Sequence, residues 1–218
     1  MKHTINQVKP SRIFAVIALA ALIAMVAVLA GCGSSGSGAG SGNDSDKKQE
    51  EKNVPTEKPV VEITMQDGGK ISVELEPAAA PKTVENFLKL VNAGFYDGLT
   101  FHRSVPGFMI QGGDPNGNGT GGSDENIEGE FDSNGFSNPI SHERGVISMA
   151  RALDKNSASS QFFIMLGDTP SLDGDYASFG RVTEGMEVVD KIAEGETTGP
   201  MNDTLVTPPV IASIKQVK

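Results

Sequence analysis

The sequence predicts a mainly β domain with two helices, a barrel or a sandwich, over residues 60–218. Three observations carry this expectation: many short β-like runs broken by Gly, Pro, Asn and Asp, only two stretches with helical apolar spacing, and a length suited to one hydrophobic core. No internal repeat is visible.

Val60 to Met65 and Lys70 to Leu75 alternate apolar and polar residues around Gln66-Asp67-Gly68-Gly69, a hairpin signal. Pro81 suits a first helical turn. Val84, Phe87, Leu88 and Val91 then recur at helical spacings, with Gly94 as a stop signal. A second helix is expected from Glu184 to Glu194, with Met186, Val189, Ile192 and Ala193 on one side and Gly195 beyond it. Further short strands are expected around Phe108, Val146, Phe162, Phe179 and Val210.

The run FHRSVPGFMIQGGD, Phe101 to Asp114, reads as an extended segment carrying an arginine, a glutamine and large apolar side chains. Strict alternation places Met109 and Gln111 on one face and Phe108 and Ile110 on the other. In SSQFFI and the residues after it, Gln161, Phe163 and Met165 oppose Phe162, Ile164 and Leu166. Each strand thus offers a wholly apolar face for the core and an amide-bearing face for a ligand. A single Phe or Met here suits a core, but two such faces near an arginine describe a mostly apolar pocket with a few placed donors. His102 has no cysteine beside it and no acid close in sequence to orient it, so it and His142 are expected to be structural or surface residues.

Gly112 to Gly122 has no Gly-Lys-Ser/Thr ending and is not a phosphate cradle. Asp114, Asn116, Asn118, Gly119 and Glu125 match the spacing of a calcium loop, but the preceding run is extended and Pro115 and several glycines crowd the loop. The expectation is therefore no metal and no cofactor.

The N-terminal part is organised differently. Met1 to Arg12 carries Lys2, Lys9 and Arg12 with no acid and leads into the apolar run Ile13 to Ala30, which fits a secretory signal or a short membrane anchor. Leu29-Ala30-Gly31-Cys32 resembles the lipobox of bacterial lipoproteins, and the chain's only cysteine stands in it. That resemblance implies a signal peptide over residues 1–31 and lipidation of Cys32. Two or more acyl chains would anchor the protein stably to the cell membrane on its extracytoplasmic face. Residues 32–59 are Gly, Ser, Asp, Lys, Glu and Pro with almost nothing apolar, a flexible tether. Gly33 and the tether suit a single-membrane cell. Without the three basic residues of the signal, 15 basic side chains face 28 acidic ones, a formal charge of −13. This argues against nucleic acid and against electrostatic membrane binding.

FHRSVPGFMIQGGD, GTGG at Gly119 to Gly122, GVISMARA at Gly145 to Ala152, SSQFFI, SLDGDYASFGRV at Ser171 to Val182 and EGMEVVDKI at Glu184 to Ile192 together resemble the successive signature blocks of the cyclophilins. They stand in the family's order and span almost all of residues 60–218. The resemblance implies a closed eight-stranded antiparallel barrel capped by two helices, and peptidyl-prolyl cis-trans isomerase activity on proline-containing segments of unfolded or exported proteins. It implies that Arg103 and Gln111 are catalytic. The groove it implies is lined by Phe108, Met109, Ala150, Arg151, Ala152, Gln161, Phe163 and Leu172, with Tyr176 completing the proline pocket. Phe108 is on the wrong face by strict alternation, because Pro106-Gly107 bends the chain just before it. Ser171 stands where the best-known eukaryotic members have tryptophan, Tyr176 where they have histidine, and Arg151 where they have asparagine. Losing the indole removes a large contact surface and an N–H donor, which disfavours tight cyclosporin binding. A tethered holdase using the same groove without turnover is the alternative. Nothing in the sequence demands more than a monomer.

Overall fold

The computed structural model describes residues 57–218. The signal peptide, the lipid site at Cys32 and nearly all of the tether lie outside the described residues. The first hairpin joins β1 (Val60–Met65) to β2 (Lys70–Leu75), and α1 (Pro81–Asn92) begins at Pro81 as the spacing predicts. Proline suits that position because its missing N–H has no intrahelical partner there.

The run Phe101 to Asp114 is not one extended segment. It folds into β3 (Thr100–Val105) and β4 (Met109–Asp114), paired antiparallel. Gly107 has φ of +74° and the Phe108 amide donates to the Val105 carbonyl, so Pro106-Gly107 forms a turn that needs glycine at its second central position. Then follow β5 (Val146–Met149), β6 (Phe162–Met165), β7 (Ser178–Glu184) and α2 (Met186–Ala193). The second helix starts two residues later than the periodicity suggests. Glu184 still pairs with Ser72, and Gly185, at φ of +89° and packed on the Lys70 carbonyl, has no room for a side chain. Two short strands, β8 (Thr197–Thr198) and β9 (Thr204–Leu205), precede β10 (Ile211–Gln216).

All ten strands form one antiparallel sheet in the order β10-β1-β2-β7-β5-β6-β4-β3-β9-β8. Eight of them have four or more residues, and the two-residue β8 and β9 extend the count beyond the expected eight. The continuous ladder is not closed on itself. A single bridge, Thr100 to Val210, and the bonds from the Phe101 amide to the Pro209 carbonyl and from the Ile211 amide to the Leu99 carbonyl join β3 to the approach to β10.

The main core gathers the inward residues of the sheet with Val84, Phe87, Leu90 and Val91 of α1 and Val189 and Ile192 of α2. Phe87 and Phe162 meet edge to face at its centre, with centroids 5.7 Å apart. The first turn of α1 has no capping side chain of its own. Buried Glu130, from a distant loop, accepts the Lys82 and Thr83 amides at 2.9 and 2.8 Å and the Thr83 hydroxyl at 2.7 Å. Its negative charge also suits the positive end of the helix dipole.

Candidate active site

A second, smaller apolar cluster lies apart from the main core and contains Met109, Val146, Phe163 and Met165, with Phe108, Ala150, Leu172 and Tyr176 packed against it. The alternation along β4 and β6 produces this separation. Ile110, Phe162 and Ile164 turn into the main core, whereas Met109, Phe163 and Met165 turn the other way. Phe108 joins the second cluster because it belongs to the turn, before the strand period is established.

Arg103 reaches the same side through a β-bulge. Phe101 pairs with Gly112 and Arg103 with Gln111, so His102 is an extra residue in β3. Such a bulge re-aims the following side chain. His102 itself turns inward, is 3% exposed, and has no hydrogen-bond partner at either ring nitrogen. Burial holds its pKa below the ordinary histidine value.

A chain of polar contacts crosses the face. Arg103 donates from Nε to Asp203 Oδ2 at 2.7 Å and from Nη1 to Gln111 Oε1 at 3.1 Å. Gln111 Nε2 donates to Gln161 Oε1 at 2.8 Å, and Gln161 Nε2 donates to the carbonyls of Gly119 and Gly121 at 3.2 and 2.8 Å. Each amide is thereby oriented by its neighbours. One cavity of about 360 Å³ is lined by Arg103, Phe108, Met109, Gln111, Ala150, Arg151, Phe163, Leu172 and Tyr176. A second of similar size adjoins it, sharing Gln111, Ala150 and Arg151 and adding Ala152, Gln161 and the loop from Gly119 to Ser123. Every groove residue expected from the sequence thus borders one of two neighbouring cavities, whereas Cys32 lies outside the described residues.

The outer wall depends on Arg151 and Tyr176. The Arg151 guanidinium lies 4.8 Å from the Tyr176 ring centroid and donates to the Asp175 carbonyl at 2.9 Å. This stacking makes the Arg151 side chain part of the wall. Behind the wall, His142 stacks on Phe163 and meets Tyr176 edge on. Its Nδ1 is 2.9 Å from Asp173 Oδ1, and its Nε2 is 3.1 Å from the hydroxyls of both Ser148 and Ser178. These residue types match a nucleophilic triad, but both serines are fully buried and no carbonyl can reach them. Burial lowers the His142 pKa against the opposing pull of Asp173, so the neutral ring fastens the loop bearing Leu172 and Tyr176.

The calcium-like spacing has a different use. Burial opposes the Asp114 charge, but backbone N–H groups of Asn116, Asn118 and Gly119 outweigh it and hold this carboxyl below its usual range. Asp114 therefore shapes the loop that presents the Gly119 and Gly121 carbonyls, and Glu125 is paired with Lys89 at 2.7 Å.

The cyclophilin type peptidyl-prolyl cis-trans isomerase family model matches residues 60–216. The chain belongs to the cyclophilins. It is 50% identical over 132 residues to peptidyl-prolyl cis-trans isomerase B of Bacillus subtilis, covering 61% of this chain and 89% of that protein. It is 46% identical over 130 residues to a peptidyl-prolyl cis-trans isomerase of Helicobacter pylori, covering 59% of this chain and 77% of that one. A crystal structure of a Cryptosporidium parvum cyclophilin, determined in the presence of the dipeptide Ala-Pro, superposes with a TM-score of 0.66 at 30% identity over 73% of this chain and 99% of that chain. In this cyclophilin a β-sheet with two helices carries the groove.

Two features of this cyclophilin site escape sequence reasoning. Asp203 lies one hundred residues from Arg103, and its only local signal is the turn-rich run Gly199 to Asp203. The bulge at His102 has no sequence mark of its own.

Proposed function

We propose that this protein is a peptidyl-prolyl cis-trans isomerase that accelerates X-Pro rotation in exported proteins, held at the extracytoplasmic face of the cell membrane by a lipid on Cys32. The observation that carries the catalytic reading is the Arg103 guanidinium, fixed by two hydrogen bonds at the rim of an apolar cavity. The lipobox-like Leu29-Ala30-Gly31-Cys32 and the polar residues 32–59 support the anchored location. We take residues 1–31 as the signal peptide and residues 60–218 as the catalytic domain, a monomer whose sheet closes as a barrel at the Thr100–Val210 bridge.

The mechanism follows from the amide. Planar X-Pro nitrogen shares its lone pair with the carbonyl, and uncatalysed exchange takes roughly tens to hundreds of seconds. Twisting frees that pair to accept a hydrogen bond unavailable in either planar isomer. Arg103 has five N–H groups and spends two on Asp203 and Gln111, leaving three for the substrate. Phe108, Met109, Phe163, Leu172 and Tyr176 hold the proline ring while the flanking chain turns. Gln111 steadies the guanidinium, and Gln161 steadies Gln111. A site that binds the twisted state better than either isomer lowers the barrier. A thousandfold acceleration needs only about 4 kcal/mol.

Exposed Ser171 precedes Leu172 of the pocket wall and adds no apolar surface to it, which favours, as a second reading, a holdase that binds without turnover. Refolding of a client limited by proline isomerisation separates the two. An isomerase speeds the slow phase at a small fraction of the client concentration, whereas a holdase acts only near equal concentration and leaves the rate unchanged. For the anchor, Cys32→Ser is expected to release the protein from membranes or to leave an unprocessed precursor. A mature form retained normally would count against lipidation.

A further inference from the structure

We propose that Asp203 is a positioning residue for the isomerisation, holding the Arg103 guanidinium by Nε so that its free N–H groups face the proline pocket. The inference rests on the reading of Arg103 as the donor to the twisted amide. Three observations support it.

First, the Asp203 side chain is only 9% exposed and lies 2.7 Å from Arg103 Nε, while the Arg103 side chain is 33% exposed toward the groove. Its carboxylate thus faces inward onto the arginine. Second, the backbone of Asp203 is itself pinned. Its carbonyl accepts the Ser104 amide at 2.8 Å, and Thr204, the next residue, pairs with Arg103 across the β3–β9 ladder. The turn before it is built for this delivery, with Gly199 at φ of +92° and Asn202 at +54°, a conformation asparagine tolerates better than most residues. Third, the two fixed contacts are at different atoms of one rigid plane. Nε held by Asp203 and Nη1 held by Gln111 determine the orientation of the guanidinium, which a single contact would leave free to swing.

An arginine on a flexible stem would otherwise have to be ordered during the reaction. With Asp203 in place the donor is set before the substrate arrives, as electrostatic preorganisation requires. The carboxylate also balances the guanidinium charge, so the pocket offers directed N–H groups rather than a bare cation. The effect of Asp203 therefore falls on the rate of rotation and not on binding of the proline ring, because Asp203 borders the cavity only through Arg103 and does not line it.

Asp203→Asn keeps the size of the side chain and removes its charge. With the full chain and a proline-containing peptide followed by NMR exchange, kcat is expected to fall about tenfold, equivalent to about 1.4 kcal/mol, with KM within about twofold of wild type. The Arg103 Nε–H resonance is expected to move upfield and exchange faster with water. Asp203→Glu, which keeps the charge, is expected to restore part of both. Unchanged kcat in Asp203→Asn, or a raised KM at unchanged kcat, overturns the inference. If Asp203→Asn does not fold, Asp203→Glu decides alone: full activity with a displaced Arg103 resonance overturns the inference, and a retained resonance with partial activity supports it. Arg103→Ala measured beside them separates the two claims. A fully active Arg103→Ala removes the reading of Arg103 itself, whereas an inactive Arg103→Ala with a fully active Asp203→Asn removes only the role of Asp203.

Discussion

Lowering the pH from 7 to 5.5 is expected to destabilise the domain through two buried histidines. His102 and His142 are 3% and 1% exposed, and burial holds the pKa of both below the ordinary value of 6.5. In the window between that value and the lower folded one, the unfolded chain binds the proton and the folded chain does not. Stability is therefore present above pH 6.5 and lost as the pH falls through the window. Each ring approaches a slope of about 1.4 kcal/mol per pH unit, so the two together remove at most about 2.5 kcal/mol by pH 5.5. Against a total of about 5–15 kcal/mol for a typical domain this is readily measured by urea unfolding followed by circular dichroism. Carboxylates with lowered pKa, such as Asp114 and Asp190, act only below the ordinary carboxylate range and leave this window clear. His102→Met assigns half of the effect. Because neither nitrogen of His102 has a partner, an apolar replacement of similar size is expected to cost less than about 1 kcal/mol at pH 7 and to halve the loss at pH 5.5. Equal stability at pH 7 and 5.5, or an undiminished loss in His102→Met, refutes the reasoning.

Two other outcomes follow from named contacts. Glu130→Ala strands two amides and a hydroxyl at the start of α1 and is expected to cost about 3 kcal/mol in urea unfolding, with less than about 1 kcal/mol counting against the capping role. Ser171→Trp places an indole beside Leu172 and is expected to tighten cyclosporin binding at least tenfold, measured by calorimetry on both proteins, and unchanged affinity would refute the account of the wall at Ser171.

Local rules made several elements legible. The alternation of Val60–Met65 and Lys70–Leu75 and the Pro81 start of α1 give the observed boundaries, since hairpin and helix signals act within a few residues. The facing of Phe163 against Phe162 and Ile164 is likewise a matter of period. Pro106-Gly107 is legible as a bend, but reading the run as one extended segment misses that the bend joins two paired strands. What alternation alone does not yield is the position of Arg103, because the bulge at His102 resets the register. Long-range partners are beyond local rules altogether. Glu130 serves a helix 47 residues away, and Asp203 serves Arg103 from the loop of a two-strand hairpin whose local signal is limited to Gly199, Pro200 and Asn202. The family's blocks in their order imply the groove residues, but Glu130 and Asp203 lie outside those blocks.

The central claim is that Arg103 donates to the twisted amide, and NMR exchange of a proline-containing peptide tests it most directly. Wild type is expected to accelerate exchange about a thousandfold, and Arg103→Ala to lose about a hundredfold of that, roughly 2.7 kcal/mol, while peptide affinity stays within severalfold. Exchange as fast with Arg103→Ala as with wild type contradicts the role of the arginine, and exchange at the uncatalysed rate with both proteins contradicts the enzyme.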